Sequence, residues 1–171
     1  KMGVEGELLP IPSLTLGAGE VTLLEMVTAY GIIANEGIKV TPYGITKITD
    51  NSGNPLEVNG PNPEKCLSPQ TAYIMNWLLQ NVAEHGTGAG TRSLARPRGG
   101  KTGTTNMFTD AWFIGFIPDV VCGVWTGYDN NASLGRRKSG AVMAVPVWTA
   151  FMKRITESRP ISDFHPPDGI N

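Results

Sequence analysis

Apolar and polar residues alternate along the chain in patterns that predict three helices and an antiparallel sheet. The first helix is predicted to begin at Thr22, since Thr22 and Glu25 have the spacing of a capping box. Its apolar residues recur at helical intervals and spread beyond a single face, so we expect this helix to be largely buried. Gly37 is predicted to end it in a left-handed conformation.

The second and third predicted helices are amphipathic. Ser68 is a suitable N-cap, Pro69 suits the first helical position, and Gly86 is expected to end the second helix. The apolar residues on its predicted buried side are Ala72, Met75, Leu79 and Val82. The third helix is predicted to have Pro146 near its start. Its predicted buried stripe consists of Val147, Trp148, Phe151, Met152 and Ile155.

Strands are predicted in the segments between these helices. Residues 45–49 and 55–58 flank a turn-forming sequence at residues 50–54 and should pair as a short ribbon. Residues 111–117 and 120–128 are nearly continuous apolar runs, which are typical of strands covered on both faces. The chain is therefore predicted to have an α/β (α+β) fold, in which an antiparallel sheet of at least three strands is flanked by helices.

The composition is that of a globular protein. Apolar residues make up 40% of the 171 residues and charged residues 17%. The formal net charge of −1 provides no long-range attraction to nucleic acid or anionic lipid, so no nucleic-acid partner is expected. Cys66 and Cys122 lie far apart and the histidines lack nearby ligand residues, so no metal site is predicted, while a disulfide remains open.

The candidate chemistry lies in Lys101-Thr102-Gly103-Thr104. The lysine provides a positive charge, the threonines provide hydroxyl and amide donors, and the glycine lets a bound peptide approach the backbone closely. The sequence from Ala95 to Thr102 also matches a loose P-loop pattern. A P-loop requires a helix directly after it, whereas the residues after Thr102 are a poor helix start, so we reject a nucleotide site.

The same stretch matches the third motif of serine acyl-transfer enzymes that combine Ser-x-x-Lys, Ser-x-Asn and Lys-Thr-Gly. Residues 110–113 read Asp-Ala-Trp-Phe, residues 123–129 read Gly-Val-Trp-Thr-Gly-Tyr-Asp and residues 84–88 read Glu-His-Gly-Thr-Gly. With these segments the chain resembles, from about residue 8 to residue 158, the transpeptidase domain of bifunctional (class A) penicillin-binding proteins. The resemblance implies a β-lactamase/transpeptidase-like fold. Residues 1–158 would be the C-terminal part of that domain, incomplete in this chain, and residues 159–171 an extended tail.

The resemblance also implies a reaction and a role for each residue. The reaction is D,D-transpeptidation, in which a serine forms an acyl-enzyme with the D-Ala-D-Ala end of a peptidoglycan stem peptide, and β-lactams acylate the same serine. Lys101 would orient a proton-relay serine and attract the substrate carboxylate, which the Thr102 and Thr104 hydroxyls would bind beside Gly103. The backbone N–H of Thr104 would belong to the oxyanion hole. No cofactor is implied. The whole protein would work at the outer face of the cytoplasmic membrane, held by an N-terminal anchor.

The nucleophile is expected to lie outside this chain. No serine of the sequence has a lysine three residues later. Ser52-Gly53-Asn54 matches Ser-x-Asn, but its turn composition explains these residues. We therefore expect the chain to supply the Lys-Thr-Gly wall of the site, to need the upstream part of the same domain, and to be inactive alone.

Two other functions are compatible with the Lys-Thr-Gly motif. A serine β-lactamase-like hydrolase shares it, although the Asp-Ala-Trp-Phe sequence at residues 110–113 favours the transpeptidase. A noncatalytic β-lactam-binding or sensor domain would keep the wall of the site without turnover. A fluorescent penicillin distinguishes the three functions. Covalent labelling with slow release indicates a transpeptidase, rapid hydrolysis a β-lactamase-like hydrolase, and absence of labelling a noncatalytic domain.

Overall fold

Three helices and seven strands form the fold of residues 2–170, the part of the chain that the computed structural model describes. The helices are α1 (Leu23–Ala34), α2 (Pro69–His85) and α3 (Gly140–Thr156). The strands are β1 (Ile38–Val40), β2 (Lys47–Thr49), β3 (Pro55–Val58), β4 (Pro63–Lys65), β5 (Gly99–Thr104), β6 (Asp110–Ile117) and β7 (Val120–Gly127). Short 3₁₀ turns cover Pro12–Leu16 and Ala89–Leu94.

The main sheet is antiparallel and has the strand order β5-β6-β7. Its register places Lys101 opposite Ile114 and Gly103 opposite Trp112. The middle strand, β6, is largely buried. β5 lies at an edge, with no further strand beside it among residues 2–170. One long side of β5 is therefore available to groups other than a neighbouring strand.

Helices cover both faces of this sheet. Side chains alternate along a strand, so Phe113 and Phe116 of β6 point to opposite faces. Phe113 packs edge-on against Trp148 of α3, with 5.2 Å between the ring centroids. Phe116 packs with Ile33 of α1 and Leu79 of α2. This three-layer arrangement confirms the predicted α/β fold, in which an antiparallel sheet lies between helices.

The predicted ends of the first two helices are confirmed. Thr22 and Glu25 form both hydrogen bonds of the capping box at the start of α1. Ser68 caps α2 by accepting a hydrogen bond from a backbone N–H, and Gly86 directly follows its last residue. Gly37, shortly after α1, has a φ of 89°, the left-handed conformation that favours glycine. Local capping chemistry thus sets where these helices begin and end.

Two short ribbons lie outside the main sheet. β2 pairs with β3 as predicted, and in the turn between them the Asp50 carboxylate accepts hydrogen bonds from Ser52 N and Asn54 N. β1 pairs with β4, which was not predicted because each strand has only three residues. Among the described residues, β2 and β3 contact no helix or strand except each other.

Three predictions of burial outside the third helix are wrong. In the described structure α1 is not largely buried, since Ile32 and Ile33 are its buried residues and Leu24 is 60% exposed. In α2, Met75 is 39% exposed and Asn76 is buried instead. β7 is partly exposed along its length. The sequence identifies apolar residues, but their burial depends on which other elements pack against them.

The structure corrects the position and the face of the third helix. α3 begins at Gly140, so Pro146 lies well inside the helix and not near its start. Trp148 and Met152 are buried as predicted, whereas Val147 and Phe151 are about half exposed. The other buried residues of α3 are Gly140, Ala144, Val145, Thr149 and Thr156.

The C-terminal tail lies against the rest of the chain. Residues 159–170 contain no helix or strand. Phe164 packs edge-on against Phe116, with 5.7 Å between the ring centroids, and Arg96 donates hydrogen bonds to three carbonyl oxygens of residues 156–160. Among residues 2–170, no helix combines the length and apolarity that a bilayer crossing requires. Cys66 and Cys122 are free thiols.

Candidate active site

β5 leads the predicted site residues from the interior to an exposed edge. Gly99 and Gly100 are buried, whereas Lys101 and Thr104 are exposed. A Cβ at Gly100 would lie 2.8 Å from Ile114 O, closer than a side chain tolerates. The glycines therefore allow β5 to lie close against β6. The polar residues of the site begin directly after these buried glycines.

The backbone of β5 directs alternate N–H groups to opposite edges of the strand. Thr105 N donates to Asp110 O of the neighbouring strand at 3.2 Å. The N–H of Thr104 therefore points away from β6, and that of Thr102, two residues earlier, points the same way. The exposed edge thus presents the main-chain groups of both threonines outward.

Lys101 carries its charge at this edge. Its Nζ donates a hydrogen bond to Thr102 O at 2.9 Å. Within residues 2–170, the ion pairs involve Lys39, Arg92, Arg98 and Arg159 and not Lys101. Lys101 is exposed, and its ammonium group has no carboxylate partner in the described structure. The group is therefore available to an external anion.

The hydroxyls of Thr102 and Thr104 each have a partner. Thr102 Oγ1 lies 2.6 Å from Thr87 Oγ1, in the loop after α2. Thr104 Oγ1 accepts a hydrogen bond from Gly140 N at 3.0 Å, which satisfies the first amide of α3. A Cβ at Gly140 would lie 2.6 Å from Gly103 O, so the start of this helix touches the strand backbone. These partners fix the positions of both hydroxyl oxygens.

A charged cluster supports the loop that carries Thr87. The Arg98 side chain, which is 9% exposed, donates to Glu84 Oε2 at 2.8 Å and to Thr91 Oγ1 at 2.9 Å. Arg92 Nε lies 3.4 Å from the other carboxylate oxygen of Glu84. The cluster joins the end of α2, the loop and the start of β5. Sequence reasoning missed this cluster. The charged residues on both sides of the glycine-rich loop could have indicated it.

The turn after β5 is also fixed by side chains. Thr105 Oγ1 accepts hydrogen bonds from Thr109 N and Asp110 N, each at 2.9 Å. The Asp110 carboxylate in turn accepts from Trp125 Nε1 at 2.9 Å. The threonine and the Asp-Ala-Trp-Phe sequence that follows it therefore hold the chain where it leaves the site.

The structure separates the other candidate residues from this edge. Ser52 and Asn54 lie in the turn of the β2–β3 ribbon, which does not contact β5. His85 ends α2 and His165 lies in the tail. Across residues 2–170, no group of three or more His, Cys, Asp or Glu residues could hold a metal ion. After Thr102 the chain continues as strand, so the helix that a P-loop requires is absent there.

A hollow of about 470 Å³ lies beside α2 but not beside Lys101. Its lining includes Trp77 and Glu84 of α2 together with residues 95–98. The Arg98 side chain at its wall is hydrogen-bonded to Glu84, and the Arg96 side chain, which also lines the hollow, donates to three backbone carbonyl oxygens. We associate it with the exposed face of α2 and not with the chemistry at β5.

Comparison with known proteins identifies the family. The sequence matches the family described as "Penicillin binding protein transpeptidase domain" over residues 10–153. It is 43% identical over 171 residues to penicillin-binding protein 1A of Aquifex aeolicus, covering 99% of this chain and 23% of that protein. It is 42% identical over 178 residues to penicillin-binding protein 1A of Neisseria lactamica, covering 99% of this chain and 22% of that protein.

Solved structures agree with this match. The crystal structure of penicillin-binding protein 1A from Haemophilus influenzae superposes with a TM-score of 0.84 and 28% identity, covering 91% of this chain and 29% of that one. The penicillin-binding protein PonA1 from Mycobacterium tuberculosis superposes with a TM-score of 0.86 and 21% identity, covering 94% of this chain and 45% of that one. At that identity the second comparison supports the fold alone.

The chain therefore belongs to the penicillin-binding protein transpeptidase family, as the sequence motifs predicted. The curated relatives named above are both penicillin-binding proteins 1A, and the chain spans between a fifth and a quarter of their length.

Proposed function

We propose that this chain supplies one wall of the active site of a peptidoglycan D,D-transpeptidase whose nucleophilic serine lies outside the chain. The observation that carries the proposal is the sheet edge at β5. There, Lys101, Thr102 and Thr104 present an ammonium group, hydroxyls and an outward amide in a member of the transpeptidase family. In the reaction, the serine attacks the D-Ala-D-Ala peptide bond and releases the terminal D-Ala. An amine of a second stem peptide then takes the acyl group from the serine.

Lys101 attracts the terminal carboxylate of the substrate and orients the serine that relays protons. Its hydrogen bond to Thr102 O holds the ammonium group over the strand edge. Because no carboxylate of the described residues neutralises it, the charge is available to the substrate. A charge-assisted hydrogen bond to a carboxylate is about twice as strong as a neutral one.

Thr102, Gly103 and Thr104 complete the wall. The two hydroxyls bind the substrate carboxylate, and Gly103, which has no side chain, leaves room for the peptide backbone. The outward N–H of Thr104 donates to the oxyanion that forms when the serine attacks. One such donor typically contributes about 2.7–4 kcal/mol to transition-state stabilisation. β-Lactams, which also carry a carboxylate, occupy the same positions and acylate the same serine.

The upstream part of the same domain is the partner that we propose for α2. Ile74, Trp77 and Leu78 share one face of this helix and are each about half exposed. A contiguous exposed apolar patch of this kind marks a contact surface. The relatives are four to five times longer than this chain, so a further part of the polypeptide is available to cover the patch.

The reaction that we propose uses protein groups alone and needs no cofactor. The chemistry also sets the location, because peptidoglycan is cross-linked outside the cytoplasmic membrane. We place the whole protein at the outer face of that membrane, in the periplasm where there is one. An anchor outside this chain would hold it there.

The experiment uses the parent protein, by which we mean the longer polypeptide that contains this chain, and a fluorescent penicillin. Lys101→Ala should raise the activation free energy of acylation by about 1.5–3 kcal/mol, which lowers the rate roughly 10- to 160-fold, with little change in melting temperature. Lys47→Ala is the matched control, since Lys47 is also an exposed strand lysine but lies on the ribbon away from the site. A large fall in melting temperature with unchanged acylation would contradict the proposed role.

Peptide mapping of the labelled protein locates the nucleophile. We expect the label on a serine outside residues 1–171, and we expect the isolated chain to remain unlabelled. A labelled serine inside this range would contradict the proposal. Rapid hydrolysis of the label would indicate a β-lactamase-like hydrolase, and absence of labelling a noncatalytic domain.

A further inference from the structure

Thr87 touches the proposed site from a separate loop. Its hydroxyl oxygen lies 2.6 Å from the hydroxyl oxygen of Thr102, although the two residues are 15 positions apart. Thr87 follows directly after Gly86, the C-cap of α2, and its side chain is exposed. The contact joins the loop after α2 to the strand that carries Lys101.

The loop is held so that Thr87 has a defined position. Gly88 is buried against α2, where a Cβ would lie 3.0 Å from Ala83 Cα. Its carbonyl oxygen accepts a hydrogen bond from Thr91 Oγ1 at 2.8 Å, and Thr91 Oγ1 accepts one from Arg98 Nε at 2.9 Å. Arg98 directly precedes β5. A chain of hydrogen bonds therefore connects the start of that strand to the residue beside Thr87.

The direction of the hydrogen bond decides what Thr102 can do. A threonine hydroxyl has one proton, so in a pair of hydroxyls one oxygen donates and the other accepts. If Thr102 donated to Thr87, its proton would be unavailable to a substrate carboxylate. If Thr87 is the donor, the proton of Thr102 is directed to the open edge, where Lys101 also lies.

Thr104 provides an internal comparison. Its oxygen accepts from Gly140 N at 3.0 Å, and an amide can only donate, so the proton of Thr104 remains available to another acceptor. The two hydroxyls of the site would then be arranged in the same way. Each would accept a hydrogen bond from another group of the protein and donate its own proton to the ligand.

We propose that Thr87 is a positioning residue whose hydroxyl donates to Thr102 Oγ1 and thereby directs the Thr102 proton toward the anionic end of the ligand. This rests on the proposed function, because it requires that a carboxylate binds at β5. Thr87 itself does not contact the ligand. It acts through Thr102, and its effect is confined to ligands that carry a negative charge at that position.

The test measures acylation of the parent protein by a penicillin with a free carboxylate and by its methyl ester. Thr87→Val keeps the shape of the side chain and removes the hydroxyl. We expect it to lower the second-order acylation rate with the free carboxylate roughly 5- to 10-fold, the effect of losing one hydrogen bond. The rate with the ester should change less than about twofold, because the ester accepts a hydrogen bond more weakly than a carboxylate.

Three further variants complete the design. Thr87→Ser should restore the rate with the free carboxylate to within about twofold of the wild type, since serine retains the hydroxyl. Thr87→Ala removes the hydroxyl without a branched apolar replacement and should behave like the valine variant. Thr49→Val is the matched control, because Thr49 is an exposed strand threonine on the ribbon away from the site.

The outcomes separate this proposal from the proposed function. If the wild type is labelled and Lys101→Ala is slow, but Thr87→Val equals the wild type, Thr87 has no positioning role. An equal loss with both ligands, or a loss that follows the melting temperature, also overturns the proposal. If the wild type is labelled by neither ligand, the proposed function fails and this inference fails with it.

Discussion

At the scale of single residues, Glu25 has the most strongly perturbed acidity that the structure shows. Its carboxylate accepts hydrogen bonds from Thr22 N at 2.7 Å, from Glu5 N at 2.9 Å and from Gly6 N at 3.2 Å. These bonds, led by that of Thr22, lower the pKa of Glu25 from its ordinary value of 4.5 to about 2. One side chain thus caps α1 and also holds the segment before it.

Replacing this carboxylate should change how stability depends on pH. A depressed pKa stabilises the folded state above the unfolded pKa, and this stabilisation is lost as pH falls through the folded pKa. Glu25→Gln should therefore lower the melting temperature near pH 7, and the difference from the wild type should shrink between pH 4.5 and about 2. Thermal melts across this range check it. Glu20→Gln is the control, since no hydrogen bond to its exposed carboxylate occurs among residues 2–170. If the melting temperature of Glu25→Gln differed from that of the wild type by the same amount at every pH, the assignment would be contradicted.

The residues of the candidate site were largely predictable, but their contacts were not. Lys101, Thr102 and Thr104 stand out because they follow one another in a recognisable motif. Thr87 and Gly140 contact the same strand from positions 15 and 36 residues away, so the sequence around them does not reveal these contacts. Their contribution depends on how α2 and α3 pack on the sheet, which is a property of the folded chain.

At the scale of elements, the junction of α3 with β5 has little room. A Cβ at Gly140 would overlap Trp112 O and would lie 2.6 Å from Gly103 O, and both are backbone atoms that cannot move alone. Gly140→Ala should therefore displace the start of α3, weaken the hydrogen bond to Thr104, and destabilise the parent protein by about 1–3 kcal/mol. Chemical denaturation measures the stability, and penicillin acylation should slow in the same variant.

Gly31→Ala is the matched control for this prediction. Gly31 lies in the interior of α1, and apart from the nearby backbone of α1 itself a Cβ there would meet no heavy atom within 4 Å. Alanine favours the helix by up to about 1 kcal/mol over glycine, so this variant should be as stable as the wild type or more stable. If both substitutions had the same effect, the close approach at Gly140 would not be the cause.

The ends of the elements were more predictable than their buried faces. Thr22 and Ser68 mark helix starts because their hydroxyls satisfy amides within the next turn, and this chemistry is local. Met75 was assigned to the buried side of α2, where Asn76 lies instead, because adjacent residues of a helix face different directions and only the neighbouring elements decide which direction is the interior.

At the scale of the whole molecule, the exposed apolar face of α2 predicts a contact with the upstream part of the domain. Trp77 is 56% exposed at the centre of this face. In the parent protein, Trp77→Asp should place a charge in a buried contact and cost about 2–4 kcal/mol, which is typical of a central aromatic residue at an interface. Trp77→Phe retains an apolar ring and should stay close to the wild type.

Melting of the parent protein and penicillin acylation together check this prediction. Because the upstream part is proposed to carry the nucleophile, the aspartate variant should lose acylation together with stability. An aspartate variant with the melting temperature and acylation rate of the wild type would show that the α2 face is exposed to solvent in the parent protein.

The β2–β3 ribbon has a practical consequence. It contacts no other strand or helix of residues 2–170, and its turn at residues 50–54 is exposed except for a half-buried Asp50. A fluorophore or a short peptide tag introduced at Ser52 would lie in the turn of this ribbon. Exposed loop tips of small and polar residues tolerate insertions. The ribbon therefore offers an attachment point for imaging the parent protein in living cells that leaves Lys101 and its neighbours undisturbed.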